Sequence, residues 1–258
     1  MSKRNYLFYF NWQMTIPFYG VVLNEIDKLI ADPENQVYLL SCSGSLKNCV
    51  VNRTSDPLVC KVCRFAKNTG AKPYRDKVKM LNISDLVNPD EIKFPDHKYE
   101  NIKDIQKITY KECFIGYGAL SSYVSYTRNH EPVMDEEFRD YFNDLLNSQI
   151  LLINALENLQ QNITFNEVFV YNGRWADVRP VFDLFMRDNI QVNVMEAINN
   201  GTTSFKNQIF KNVLPQEINH RNNMINHIWE NKDISIEQKK KEASAFYIKR
   251  KNAIPHRE

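Results

Sequence analysis

The chain has 258 residues, 43% of them hydrophobic and 25% charged, with 33 basic residues set against 31 acidic ones. That length can bury a sizeable core, in one large domain or two small ones. A net charge of +2 exerts no global pull on nucleic acid, and no apolar run approaches the roughly 18 residues that span a bilayer.

Two basic residues and a short apolar run open the chain, without the longer apolar region and small-residue cleavage site of a signal peptide. Residues 6–10 are predicted as a buried first strand, and the protein as cytoplasmic. A loop at 11–17 follows. Val21, Val22, Glu25, Ile26, Leu29 and Ile30 then recur at helical spacing, and residues 37–40 return as a second strand. Residues 41–75 form a cysteine-rich insertion holding four of the five cysteines. Residues 78–81 read as a third strand, and the polar stretch 84–103, with Pro89 and Pro95, as a surface loop.

Two long helices are predicted next. Ile105, Ile108, Phe114, Ile115, Leu120, Tyr123 and Val124 mark the first, and Phe138, Tyr141, Phe142, Leu145, Leu152, Leu156 and Leu159 the second. Glycine is scarce, at 7 residues, and no dinucleotide fingerprint or Walker loop is present. Gly116-Tyr117-Gly118 is the only Gly-x-Gly in the sequence and reads as close helix packing. Residues 167–196 read as strand, turn, helix and strand, the size of a βαβ crossover. A loop with Gly201-Thr202-Thr203-Ser204, a helix near 218–229 and a last helix capped by Ser235 and Gln238 complete the chain. The pattern predicts a three-layer α/β fold with a mainly parallel sheet, in which ligands sit at the carboxyl ends of strands.

Several residues fall at those ends. Asn11 and Trp12 follow the first strand, where Trp12 either stacks on a sugar ring or packs under the next helix. Gly173 reads as a turn glycine. Arg174 and Arg179 lie near a helix amino terminus, where they either hold a phosphate or pair with Glu196 or Asp177. Glu196 is either a general base or a structural partner of Arg174. Cys42, Cys49, Cys60 and Cys63 bring four thiols into 22 residues. Structural zinc is one reading of them, an oxidised or iron–sulfur form a second, and unligated thiols a third. Cys113 reads as a small core residue.

The run Asn172-Gly173-Arg174, Arg179 and Glu196, with Cys42-Ser43-Gly44-Ser45-Leu46 and the other clustered cysteines, resembles the acceptor-side domain of bacterial GT-B glycosyltransferases that build capsule and lipopolysaccharide. The resemblance implies a Rossmann-like acceptor domain over 1–235 and a helix over 236–258 linking to a missing donor domain. It implies a glycan or lipid-linked glycan as acceptor, bound through Asn11, Trp12, Asn172, Gly173, Arg174 and Arg179, with Glu196 as catalytic base. The nucleotide sugar would be held by the missing domain, leaving this chain inactive alone. Nucleic acid is not an expected partner, and no spanning segment is expected, though peripheral membrane association is compatible with the reading. The rival readings are a non-catalytic glycan- or protein-binding module and a cysteine-cluster metal or redox protein.

Overall fold

The computed structural model describes residues 3–198, 205–231 and 233–251. Six strands, β1 (Arg4–Tyr9), β2 (Asn35–Ser41), β3 (Val78–Asn82), β4 (Glu167–Tyr171), β5 (Gln191–Ile198) and β6 (Lys206–Lys211), form one sheet in the order β3-β2-β1-β4-β5-β6. The first five pair in parallel, and β6 lies antiparallel on β5. The architecture is the three-layer, Rossmann-like α/β fold expected from the sequence. Leu7, Phe8 and Tyr9 are fully buried, the continuous burial of a central parallel strand. Phe8 stacks on Phe169 of β4 with ring centroids 4.4 Å apart.

Helices α1 (Ile16–Ile30), α2 (Pro57–Gly70), α3 (Ile102–Gln106), α4 (Ile115–Thr127), α5 (Glu136–Asn162) and α6 (Arg179–Arg187) fill the crossovers, and α7 (Ile218–Glu230) and α8 (Ile236–Lys251) follow β6. Helix α5 starts at Asp135, whose carboxylate accepts from Phe138 N at 2.9 Å, and packs against α4 and α6. No helix among the described residues is long and apolar enough to cross a membrane.

Three segments differ from the sequence reading. The first long helix is two, because Lys111 and Glu112 take left-handed conformations (φ 47° and 66°) in a turn bridged between Tyr110 and Cys113. Gly116 then runs against α3: its N–H donates to Ile108 O at 3.0 Å, and a Cβ there would collide with the Ile105 carbonyl. The stretch 41–75 carries α2, capped by Asp56, which accepts from Leu58 N at 2.7 Å. Leu58, Val62 and Phe65 of α2 recur at helical spacing and are exposed, so the helix turns an apolar stripe away from the core. Strand β6 is not predicted from the sequence, because only Ile209 and Phe210 of its six residues are apolar and it lies at the sheet edge. The loop residues Gly201-Thr202-Thr203-Ser204 lie outside the described residues.

Candidate functional site at the carboxyl edge of the sheet

The chain adds β2 and β3 on one side of β1, then returns to place β4 and β5 on the other. The order reverses between β1 and β4, where α/β proteins bind ligands outside the carboxyl ends of the strands. Three loops meet there, at 10–15, 42–56 and 172–178. Two adjoining cavities open among them, with Cys49 in the wall of both.

Beneath them runs a buried polar layer. Asn11 Nδ2 donates to Tyr9 OH at 2.5 Å and to Asp177 O at 2.9 Å, and its Oδ1 accepts from Cys42 N at 3.2 Å. Trp12 Nε1 donates to Asp177 Oδ2 at 2.5 Å, while its ring packs edge-on against Phe10, Tyr171 and Trp175. Both side chains are thus buried and engaged within the protein. Burial, resisted by the Trp12 hydrogen bond, pushes the Asp177 carboxyl up to about 6.

The first cavity holds the cysteines. Cys42 follows β2, Cys49 lies in the next loop, and Cys60 and Cys63 sit on the first turns of α2. All four line one space of about 10 Å³, room for a single water-sized sphere. They are free thiols, as is the buried Cys113, which lies apart in the turn before α4. Cys63 Sγ donates to Asn11 O at 3.2 Å and Gln13 Oε1 at 3.1 Å, and Cys60 Sγ accepts from Asn52 Nδ2 at 3.1 Å. Burial pushes Cys42 up to about 12 and also raises Cys49 and Cys63. Among the described residues, no three His, Cys, Asp or Glu side chains already stand at positions that would hold a metal.

The second cavity, of about 180 Å³, has a different lining. Arg53, Arg128 and Arg174 surround it with Ser122, Ser125 and Tyr141, and no carboxylate is among its lining residues. None of the three arginines makes an ion pair within 4 Å among the described residues. Arg53 lies over the Tyr126 ring at 4.1 Å and Arg174 over Trp175 at 4.8 Å. Arg174 Nε is buried without a hydrogen-bond partner. Burial lowers the Arg174 pKa, Glu196 opposes that shift, and the like charge of Arg128 adds to it. Ser122 Oγ accepts from Ala176 N at 2.9 Å, and Ser125 Oγ from Trp175 Nε1 at 3.0 Å. Each hydroxyl therefore retains its proton for a further acceptor. Burial also pushes Tyr141 up to about 12, which keeps its phenol a donor.

The remaining sequence candidates serve the turn after β4 and the helix behind it. Asn172 and Gly173 are left-handed (φ 64° and 76°), and a Cβ on Gly173 would stand 2.8 Å from Leu214 Cδ2. Asn172 Nδ2 donates to Glu196 Oε1 at 2.7 Å, and Gln216 Nε2 reaches the same oxygen at 3.3 Å. Glu196 is half-buried within β5, and that burial raises its carboxyl pKa. Arg179 Nε bonds Asp183 Oδ1 at 2.6 Å, and Asp183 Oδ2 accepts from Phe114 N at 2.8 Å, tying α6 to the start of α4. The structure therefore brings Trp12 and Arg174 together through Trp175, and leaves Arg179 outside the cavity. Arg53, Arg128, Ser122 and Ser125 were not apparent from the sequence. The signal available was the three serines, Ser121, Ser122 and Ser125, on a helix rich in apolar residues.

No family model matches the chain, and no curated protein matches it. Among solved structures it aligns with Leishmania major tyrosyl-tRNA synthetase in complex with tyrosinol, at 10% identity and a TM-score of 0.43. The alignment covers 89% of this chain and 34% of that one, and at such similarity it carries no argument about function. These findings correct the resemblance to GT-B glycosyltransferases: no glycosyltransferase is found among the matches. The physical reason lies in the residues that suggested it. Asn172-Gly173 is a left-handed turn, Glu196 accepts from Asn172, and Arg179 pairs with Asp183, roles that a βαβ unit of any function can need.

Proposed function

We propose that the chain is a binding module for a small ligand bearing a phosphate-class oxyanion, held in the cavity among Arg53, Arg128 and Arg174. The observation that carries the reading is three guanidinium groups around one polar cavity with no carboxylate in its lining, one of them with a buried, unpartnered Nε. A buried N–H without an acceptor is costly, and an oxyanion beside Arg174 Nε would supply one. The planar guanidinium fork suits the paired oxygens of a phosphate, and the Ser122 and Ser125 protons supply neutral donors beside it. The position at the reversal of strand order supports the same reading. No reaction is assigned to the site. The reading sets the chain in the reducing cytoplasm, supported by five free cysteines.

Calorimetric titration of the full chain with inorganic phosphate and with pyrophosphate tests this. Arg174→Ala should weaken binding at least about tenfold, or ~1.4 kcal/mol. Arg75→Ala, which removes the same charge from an exposed position elsewhere, should leave it unchanged. No binding of either anion, or equal losses in both variants, would overturn the proposal.

A further inference from the structure

The thiol cavity adjoins the arginine cavity through Cys49 but has its own lining and size. Four of the five cysteines reach it from three separate segments, the end of β2, the loop after it and α2. Its space of about 10 Å³ excludes any organic ligand and suits an occupant of atomic size. We propose that Cys42, Cys49, Cys60 and Cys63 take up one thiophilic divalent cation of the zinc class as a tetrathiolate.

Polar groups stand beside the sulfurs, and Asn52 Nδ2 donates to Cys60 Sγ at 3.1 Å. The turn after Cys42 places Ser43 and Gly44 at φ 50° and 96°, which directs backbone N–H groups back toward the sulfur. Hydrogen bonds of this kind tune thiolate metal centres. Four thiolates and one divalent cation carry a net charge of −2, and Arg64 and Lys67 both line the cavity. Four sulfurs select a borderline-soft ion over calcium or magnesium.

Because no three of these side chains already stand in ligating positions, uptake must draw the sulfurs inward. Cys63 would give up its bonds to Asn11 O and Gln13 Oε1. Binding is an acid–base event without electron transfer: four S–H bonds break, four sulfur–metal bonds form, and four protons pass to solvent. Affinity therefore rises with pH.

The test is titration of the reduced full chain with cobalt(II), which reports thiolate coordination by its colour. Thiolate-to-cobalt charge-transfer bands and strong tetrahedral d–d bands should saturate at about one equivalent, and zinc should displace them. Cys60→Ser should lose or markedly weaken the bands. Cys113→Ser, outside the cavity, should keep them. Circular dichroism establishes that each variant is folded, and pyrophosphate binding is followed in parallel, so failure of the anion reading is seen separately. A folded, fully reduced chain without thiolate–cobalt bands at one equivalent would overturn the proposal. So would bands that survive Cys60→Ser and vanish in Cys113→Ser.

Discussion

The two cavities at the sheet edge share Cys49 as a wall, yet they present opposite chemistries. The thiol cavity is small, and burial raises the pKa of its Cys42, Cys49 and Cys63 thiols, Cys42 to about 12. The arginine cavity is some 180 Å³, with three guanidinium side chains and no carboxylate in its lining. Size and lining therefore distinguish the two cavities, and the proposed cation and anion sites rest on that difference. The buried layer of Asn11, Trp12 and Asp177 lies beneath both and fixes the loops that separate them.

The largest effect expected from this contrast is in thiol chemistry. A rise from 9.0 to about 12 lowers the Cys42 thiolate fraction at mildly alkaline pH by roughly 10³. In reduced, chelator-treated protein, Cys42 should alkylate at least ~10³-fold more slowly in the native than in the unfolded chain, read by peptide mass spectrometry. Equal rates would remove the desolvated character claimed for that cavity.

Next is the layer under both. Asp177 shifts from 3.8 to about 6 on folding, so its contribution to stability is fully present below pH 4 and is lost as pH rises through 6. Relative to Asp177→Asn, the wild-type chain should lose ~2 kcal/mol between pH 4 and pH 7, measured by urea unfolding. The comparison across pH cancels any fixed effect of the amide. Parallel pH profiles for the two proteins would show that Asp177 is not held in that environment.

Gly173→Ala acts on one cavity only. A left-handed alanine costs about 1–2 kcal/mol, and its Cβ would press on Leu214. Stability should fall by about that amount and pyrophosphate binding should weaken, because Arg174 is the next residue. Cobalt uptake by the thiols should stay as in the wild type. A matching loss of cobalt binding would mean that the cavities are not separable.

The smallest effect concerns the like charges. Removing Arg128 relieves repulsion on Arg174, so Arg128→Gln should leave ligand-free stability within about 0.5 kcal/mol of the wild type while weakening pyrophosphate binding. A substantial loss of stability without ligand would assign Arg128 a packing role instead.

What the sequence revealed follows from what local patterns encode. Strands β1, β2, β4 and β5 were legible because buried parallel strands are short continuous apolar runs bounded by turn residues. Gly116 and Gly173 announced a close approach and a turn by residue type alone. Helix α2 lies within the segment read by its cysteine spacing, and β6 offers only Ile209 and Phe210 as apolar residues in an edge strand. The clustering of four cysteines was visible, since they lie within 22 residues. The arginine cavity was hidden, because Arg53, Arg128 and Arg174 meet only through tertiary packing of a loop, the end of α4 and the turn after β4. By position Asn11 and Trp12 admit either ligand contact or packing under the next helix. Their engagement with Asp177, more than 160 residues away along the chain, could not be read from local sequence.

The most direct test of the anion site is a crystal structure of the full chain grown with tungstate, a heavy tetrahedral oxyanion whose anomalous scattering marks its position. The expected result is a peak in the cavity within hydrogen-bond reach of Arg174 and at least one of Arg53 and Arg128. Saturating tungstate with no peak there, or peaks confined to other surfaces, would contradict it.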